Sequence, residues 1–357
     1  MRKKRILVSG VGGSGGSNYV SSLRMVKHEQ FYIVGTDTRN FFLELAPNID
    51  KKYIVPRADD PSYFSTINKI IEKEKIDFMH CQSEEEVWIV SNNLDKIKTK
   101  VLLPAKETLT ITTNKASLNK ALAKEAISVP RAIHLKTTKD LELAIRTLRG
   151  KHKKVWLRAI TGGGSRASLP VYNLKQAEGW IDYWHSYKGL TLKDFMISEF
   201  LPGKEFAFQS VWHNGILITS MARQRVEYLF GYLFPSGQSS SPSVAMTVHR
   251  DDVNELATKA VLTVDKHATG IFCVDIKENE KGVPCVTEIN AGRFFTTNNN
   301  FSTAGLNMPY YHVLLGMEET LPKLPQYNGI PANWYWIRMI DMGYKLVKGE
   351  KWTGQKI

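Results

Sequence analysis

The segment GIFCVDIKENEKGVPCVTEIN, residues 270–290, contains two apolar strands joined by a polar turn at 279–282. The first strand carries Asp275, and the second ends in Glu288-Ile289-Asn290. Alternate residues of a strand face the same side, so Glu288 and Asn290 point together and the hairpin brings Asp275 close to them. Carboxylate and amide oxygens on one face predict a magnesium site. An edge hairpin with its polar face in water is the alternative.

The residues after this hairpin also suggest chemistry. Arg293 follows the second strand closely and is placed to neutralise phosphate charge. The stretch 294–301 is polar and aromatic, which predicts either a specificity segment for an acceptor substrate or an ordinary capped loop. Upstream, residues 228–241 read as a loop that could cover the site.

A glycine-rich loop lies further upstream. The predicted strand 155–158 ends in Arg158 and leads into Thr161-Gly162-Gly163-Gly164-Ser165-Arg166. Bare backbone amides in such a loop bind phosphate oxygens, and arginine supplies a planar, permanently charged fork. The pattern therefore favours a phosphate clamp over a simple hairpin loop.

Two glutamates flank the next turn, in Ser198-Glu199-Phe200-Leu201-Pro202-Gly203-Lys204-Glu205. The apolar strand ends in Glu199, and Glu205 opens an alternating strand after the Pro-Gly turn. Taken alone, these residues also fit an ordinary hairpin with two exposed acids.

The first lobe alternates short apolar strands with helices, which predicts a parallel, doubly wound sheet. Gly10, Gly12 and Gly15 fit G-x-G-x-x-G between a strand and a helix, and Asp37 ends the next strand. This pattern is typical of dinucleotide binding and also of a turn that packs a helix on a strand. Glu84, Glu85 and Glu86 follow another strand and could contact a substrate amine, close a domain interface, or begin a solvated helix.

Composition restricts the class of protein. The 357 residues predict two or three lobes, and no apolar run reaches the roughly 20 residues that span a bilayer. The apolar run after the basic N-terminus is too short for a signal peptide. Three scattered cysteines predict no disulfide framework and fit a reducing, cytoplasmic setting. The net charge of +13 comes from dispersed Lys and Arg clusters and predicts a basic surface around an anion-binding cleft.

Taken together in this order and spacing, these motifs and Asn114-Lys115 resemble the ATP-grasp superfamily, more narrowly its carbamoyl-phosphate-synthase large-chain-like members. The likeness covers roughly residues 5–320. It implies an α/β and α+β chain, with a Rossmann-like pre-ATP-grasp domain followed by a two-subdomain ATP-grasp fold. The implied limits are 1–113 for the first domain, 114–195 for ATP-grasp subdomain 1, 196–320 for subdomain 2 with the metal site, and 321–357 for a tail packing on the body.

The resemblance also implies roles for individual residues. Lys115 and Arg158 would touch the ATP phosphates, with Gly162, Gly163, Gly164 and Ser165 folded over them. Glu199 would accept from the adenine amino group, Leu201 would offer its backbone amide to the ring with Phe200 beside it, and Glu205 would hold the ribose.

At the reacting end, Asp275, Glu288 and Asn290 would hold one or two Mg²⁺ ions, with Mn²⁺ also compatible. Arg293 would meet the γ-phosphate or the acyl phosphate, so Arg293 and Arg158 are the predicted catalytic residues. Two departures stand out: Arg158-Ala159 replaces a common Lys-Pro, and Arg293 lies one place later than usual.

The implied function is an ADP-forming, C–N bond-forming ligase that activates a carboxylate as an acyl phosphate. Its expected partners are a small carboxylate substrate and an amine substrate. Binding to a membrane or to nucleic acid is not expected, and the resemblance is compatible with a homodimer. The alternatives are an NAD-dependent oxidoreductase using the turn at Gly10, a non-catalytic ATP-binding module, and a nucleic-acid binder driven by the +13 charge.

Overall fold

The computed structural model describes residues 2–163, 167–239, 241–340 and 343–349. Its first layer is a four-stranded parallel sheet in the order β3-β2-β1-β4, flanked by helices. Ile6, Leu7 and Val8 are all fully buried, as expected for a parallel strand covered on both faces. The elements are β1 Lys4–Ser9, α1 Ser14–Arg24, β2 Phe31–Asp37, α2 Asn40–Leu45, β3 Lys51–Ile54, α3 Tyr63–Glu74, β4 Phe78–His80 and α4 Glu84–Ser91.

A four-stranded antiparallel sheet forms the second layer, in the order β5-β8-β6-β7. The helix that precedes this sheet in the chain begins at Lys115. The Asn114 side chain caps it by accepting hydrogen bonds from the amides of Ala116 and Ser117, which fixes the helix N-terminus at Lys115. The elements are α5 Lys106–Thr112, α6 Lys115–Lys124, β5 Ala132–His134, α7 Thr138–Leu148, β6 Val155–Ala159, β7 Leu169–Val171, α8 Leu174–Lys188 and β8 Phe195–Glu199.

The third layer is a seven-stranded antiparallel sheet in the order β13-β12-β9-β10-β11-β14-β15. Part of the predicted tail, the strand β14, pairs with β11 and so belongs to this sheet, while residues 350–357 lie outside the described part. The elements are β9 Glu205–His213, β10 Ile216–Tyr228, β11 Pro242–Val248, α9 Asp251–Val264, β12 Gly270–Glu278, β13 Pro284–Ala291, α10 Asn299–Thr303, α11 Met308–Gly316, β14 Trp334–Met339 and β15 Gly343–Lys348.

Alternation along β9 gives the large sheet two different faces. Phe206 and Phe208 pack into the core that includes α9, whereas Ala207 and Val211 pack into a second core that includes α1 and α11. Odd-numbered β9 residues therefore share the face of the sheet opposite α9. We call this surface the site face.

The predicted fold class is confirmed: a parallel first sheet precedes two antiparallel sheets. The domain limits at 113, 195 and 320 stay predictions. None of the described helices is both long and apolar enough to cross a membrane.

Candidate active site

Two cross-strand rows of polar residues cover the site face. Glu205 is opposite Arg225 on β10 and Lys277 on β12. Two residues further along β9, Ala207 is opposite Arg223 on β10 and Asp275 on β12. Directly opposed residues in antiparallel strands point to the same side, so five charged side chains share this surface.

The β12–β13 hairpin extends the second row. Asp275 is opposite Glu288, and Cys273 is opposite Asn290. The predicted approach of Asp275 to Glu288 thus follows from the register of the hairpin. Asn290 donates to Asp275 Oδ2 at 3.4 Å, which brings all three predicted metal ligands together.

Arg225 connects the two rows. Its Nη1 donates to Glu205 Oε1 at 3.0 Å and its Nη2 to Asp275 Oδ1 at 2.6 Å. Burial raises the pKa of Glu205, but the charges of Arg225 and Lys277 outweigh it and the pKa is lowered. Burial raises the pKa of Asp275 to about 6, against the opposing effect of Arg225 and with Glu288 adding to the rise.

Two further cations lie beyond Glu288. Lys115 Nζ is 3.5 Å from Glu288 Oε1 and donates to the carbonyl of Gly162 at 2.7 Å. Arg158 donates to the carbonyl of Thr287 at 2.9 Å. Burial raises the pKa of Glu288, but Lys115 and Arg158 outweigh this effect and the pKa is lowered. Lys115 therefore contacts both Glu288 on the β12–β13 hairpin and Gly162 in the glycine loop.

The glycine loop approaches the site from the second layer. Gly162 has a φ of +82° with open space around it, a conformation that favours glycine. Gly163 lies close to Glu84 and Arg293. Gly164 and Ser165, which carry the rest of the predicted clamp, lie outside the described residues.

Glu199 differs from the simplest expectation for an adenine contact. Its Oε2 accepts from Arg131 Nε and its Oε1 from the Arg131 amide, both at 2.9 Å. Each oxygen of the Glu199 carboxylate therefore already accepts one hydrogen bond from Arg131. Phe200 and Leu201 follow directly, with Lys154 Nζ 3.9 Å from the Phe200 ring centre.

A cavity of about 240 Å³ lies over the site face. Twelve of the fourteen predicted site residues line it, and the other two are the undescribed Gly164 and Ser165. Those twelve are Lys115, Arg158, Gly162, Gly163, Glu199, Phe200, Leu201, Glu205, Asp275, Glu288, Asn290 and Arg293. Their individual roles stay predictions.

Several residues of the cavity lining were not predicted from the sequence as site residues. Arg223 and Arg225 stand two apart on a largely buried strand, a spacing that could have indicated two cations on one face. Lys277 likewise stands two residues after Asp275. Tyr228 donates a short hydrogen bond to Glu205, and Gln238 donates to it at 2.8 Å. These last two belong to the 228–241 segment, which the sequence indicated as a cover for the site without singling out either residue.

The chemistry of the predicted ligands fits a hard cation. Asp275, Glu288 and Asn290 supply two carboxylates and an amide oxygen. In the described part of the chain, no group of three or more His, Cys, Asp or Glu side chains could hold a metal ion. Such a sparse protein contribution suits Mg²⁺, which retains places for water and substrate phosphates.

The N-terminal glycine turn is closely packed. Gly12 donates its amide to Asp37 Oδ2 at 2.9 Å, and a Cβ on Gly12 would lie 2.8 Å from the same oxygen. A Cβ on Gly15 would collide with the side chain of Gln82. The glycines are thus required by packing against neighbouring side chains, as in the helix-on-strand interpretation.

The three glutamates after β4 have different environments. Glu84 Oε2 accepts from Arg293 at 3.2 Å, so it joins the first layer to the site. Glu85 is exposed and pairs with Arg57. Glu86 is buried and accepts from Tyr63 at 2.5 Å and from Ser9. The solvated-helix interpretation therefore fits Glu85 and not Glu86.

Glu86→Gln should change how stability depends on pH. Burial is the largest effect on Glu86 and raises its pKa above 4.5. The folded state then binds the proton more tightly, so the contribution of Glu86 to stability falls as pH rises from about 4.5. We expect the Tm of wild type to fall relative to that of Glu86→Gln over this range. The Tm of Glu85→Gln should change with pH in the same way as that of wild type. If the Tm of Glu86→Gln also changed in the same way, the raised pKa of Glu86 would be contradicted.

The fold and the site together define a class: a nucleotide-binding α/β protein whose cavity lies between antiparallel sheets and carries cations and carboxylates. A sequence model described as the ATP-grasp domain matches residues 112–297, just over half of the chain. The chain belongs to the ATP-grasp family, which confirms that prediction. The narrower likeness to carbamoyl-phosphate synthase stays a prediction. No curated protein matches the sequence.

Several solved structures share the fold. The biotin carboxylase domain of 2-oxoglutarate carboxylase from Hydrogenobacter thermophilus matches with a TM-score of 0.70 at 14% identity, over 94% of this chain and 74% of that one. N5-carboxyaminoimidazole synthetase from Staphylococcus aureus matches with a TM-score of 0.67 at 15% identity, over 94% of this chain and 82% of that one. L-amino acid ligase from Bacillus licheniformis matches with a TM-score of 0.67 at 12% identity, over 94% of this chain and 79% of that one. At these identities the likeness shows the fold alone.

Proposed function

We propose that this protein is an ATP- and Mg²⁺-dependent, ADP-forming ligase that converts a carboxylate into an acyl phosphate for attack by an amine or similar nucleophile. The observation that carries the proposal is the site face itself. There Lys115 and Arg158 adjoin a carboxylate pair, Asp275 and Glu288, beside the glycine loop.

The nucleotide would lie along the cavity from Phe200 to Glu288. The adenine would meet the segment after β8, where Leu201 offers a backbone amide. Glu205, which lines the cavity wall, would hold the ribose hydroxyls. Lys115 and Arg158 would bind the phosphates. The magnesium-ADP complex of the Hydrogenobacter thermophilus domain supports this use of the fold.

Asp275, Glu288 and Asn290 would hold one or two Mg²⁺ ions, whose charge offsets that of the phosphate oxygens during transfer. Arg225 holds Asp275 from the opposite side, at 2.6 Å, and so fixes the direction of its carboxylate. Arg293 donates to Asn290 Oδ1 at 2.6 Å and would meet the γ-phosphate or the acyl phosphate.

The proposed chemistry runs in two steps. A substrate carboxylate oxygen attacks the γ-phosphorus, the bond to the β-phosphate oxygen breaks, and ADP leaves. The nucleophile then adds to the acyl carbon and expels inorganic phosphate. The first step relies on positioning and charge neutralisation, which the cations around Glu288 provide. The glycine loop would limit the access of water to the acyl phosphate.

Nucleotide binding tests the proposal most directly. A ligand at about 100 times its dissociation constant stabilises a protein by roughly 2.7 kcal/mol. We expect a nonhydrolysable ATP analogue with Mg²⁺ to raise the Tm, and NAD to leave it unchanged. A rise with NAD alone would overturn the proposal. Binding of the analogue without ADP release, across a panel of carboxylates and amines, would indicate a non-catalytic module.

Lys115→Met should weaken binding of the ATP analogue about 10- to 100-fold, because a buried cation beside the phosphates is lost. The methionine preserves most of the side-chain volume, so the helix should remain intact. Lys120→Met, on the exposed face of the same helix, is the matched control and should bind like wild type. Titration of the Tm against analogue concentration measures the difference. Equal affinities for the two variants would remove Lys115 from the phosphate site.

A further inference from the structure

Arg223 differs from the other cations of the site face, Arg225 and Lys277, because it pairs with no anion among the described residues. Its side chain is buried, with 1% of its surface exposed. Its Nη1 donates to the carbonyl of Thr297 at 3.2 Å, and its Nε has no partner among the described residues. None of the described carboxylates forms an ion pair with it, whereas the neighbouring Arg225 pairs with both Glu205 and Asp275.

Aromatic rings flank the Arg223 guanidinium and attract its charge, but less strongly than a buried, paired carboxylate would. The guanidinium carbon is 5.3 Å from the centre of the Phe295 ring and 5.6 Å from that of Phe301. Asn300, the residue before Phe301, is fully buried and both of its amide atoms lack a partner among the described residues. Burial, the largest effect, lowers the pKa of Arg223 to about 9. A buried cation without an anion is costly, so an anionic group would be bound favourably here.

The position of Arg223 indicates which anion this is. Across the site face the order is Glu288, Asp275, Ala207 and Arg223. Lys115, the predicted phosphate cation, lies at the Glu288 end. Arg223 is two strands from Asp275, which corresponds to about 10 Å between backbones. Between them stands Ala207, which is fully buried and carries only a methyl group.

We propose that Arg223, which lines the same cavity as Asp275 and Glu288, binds the substrate carboxylate that accepts the γ-phosphoryl group. This inference rests on the proposed ligase function and assigns the substrate a free, ionised carboxylate. The planar fork of arginine matches a carboxylate, and the two phenylalanine rings limit its rotation.

The assignment is consistent with the transfer step. One carboxylate oxygen attacks the γ-phosphorus as the bond to ADP breaks, and the other oxygen stays on Arg223 as the acyl carbonyl. Arg223 lines the cavity together with Arg293 and Thr296, so a substrate held there contacts the end opposite the predicted adenine segment. The rest of the substrate would then meet the 294–301 segment, which the sequence suggested as a specificity element.

The reverse half-reaction provides a test that needs no knowledge of the natural substrate. Acetyl phosphate, a minimal acyl phosphate, is added to the protein with Mg-ADP, and the ATP formed is measured by luminescence. A thermal-shift titration with acetyl phosphate in Mg-ADP measures binding. For wild type we expect both ATP formation and a saturable Tm rise. For Arg223→Met we expect the half-saturating acetyl phosphate concentration to rise about 100-fold.

Three further variants and measurements make the result specific. Arg223→Met should retain the Tm rise with the ATP analogue and should fold at least as stably as wild type, because an uncompensated buried charge is removed. Arg223→Lys keeps the charge but loses the fork, and should weaken acetyl phosphate binding about 10-fold. Arg57→Met, which removes an exposed arginine distant in the first layer, should match wild type in every assay.

Each contrary outcome has a defined meaning. Equal acetyl phosphate responses in wild type and Arg223→Met, or no response in wild type, would overturn the assignment. Loss of the ATP-analogue shift in Arg223→Met, with acetyl phosphate binding unchanged, would place Arg223 on the nucleotide phosphates and also overturn it. Absence of the ATP-analogue shift in wild type would instead refute the proposed ligase function.

Discussion

Glu288→Gln should reduce ADP release from Mg-ATP by about 10²- to 10³-fold, the range seen when one electrostatic contact to a transition state is removed. Glu288 is the carboxylate nearest the phosphate cations: Lys115 Nζ lies 3.5 Å from it, and the charges of Lys115 and Arg158 lower its pKa. The amide retains the shape of the side chain but lacks the charge that a magnesium ion prefers. The defect should therefore appear in turnover more than in folding.

The measurement is ADP release with and without the carboxylate that stimulates wild type most. Glu255→Gln is the matched control, because Glu255 is exposed on α9 and pairs only with Lys259 at 3.6 Å among the described residues. It should behave as wild type. If Glu288→Gln also released ADP at the wild-type rate, Glu288 could not be a metal ligand, and the site face would need another explanation.

Arg225→Met should lower the free energy of unfolding by roughly 3–5 kcal/mol, the cost of breaking a buried ion pair by removing one partner. Arg225 is the common partner of Glu205 and Asp275, at 3.0 and 2.6 Å. Its removal leaves Asp275 buried with Glu288 as its cross-strand neighbour. Urea denaturation without ligand measures the loss, and nucleotide binding should weaken as well.

Arg250→Met provides the comparison, since Arg250 also pairs with two acids, Asp252 and Glu278, but is more exposed. Its loss should cost roughly 1 kcal/mol or less. The double variant Arg225→Met, Asp275→Asn should recover part of the lost stability, because the orphaned charge is gone. Equal losses in the two single variants, or no recovery in the double variant, would show that the Arg225 network contributes little.

Much of the fold and the site could be predicted because the signals are local. The β12–β13 hairpin is contiguous in sequence, so strand alternation alone places Asp275, Glu288 and Asn290 on one face. The glycine loop is equally local, since it follows directly on the strand that ends in Arg158. Asn114 likewise marks the start of the helix that carries Lys115, because its side chain caps the helix N-terminus.

The environment of a side chain was less predictable than its position. Glu84, Glu85 and Glu86 are identical neighbours in sequence, but they pair with Arg293, with Arg57, and with Ser9 and Tyr63 respectively. Each partner comes from a different part of the chain, so the three residues differ only after the layers pack. The same holds for Glu199, whose carboxylate is occupied by Arg131, 68 residues earlier.

The sequence by itself therefore determined the order of sheets, the glycine loop and the carboxylate hairpin, because these depend on contacts between residues close along the chain. The tertiary structure alone decided how the cations are distributed around them. Arg225 pairs with Asp275, whereas Arg223, which the register puts level with Asp275 across Ala207, pairs with none of the described carboxylates. That register depends on packing across the whole sheet, and a one-residue shift would turn these side chains to the opposite face.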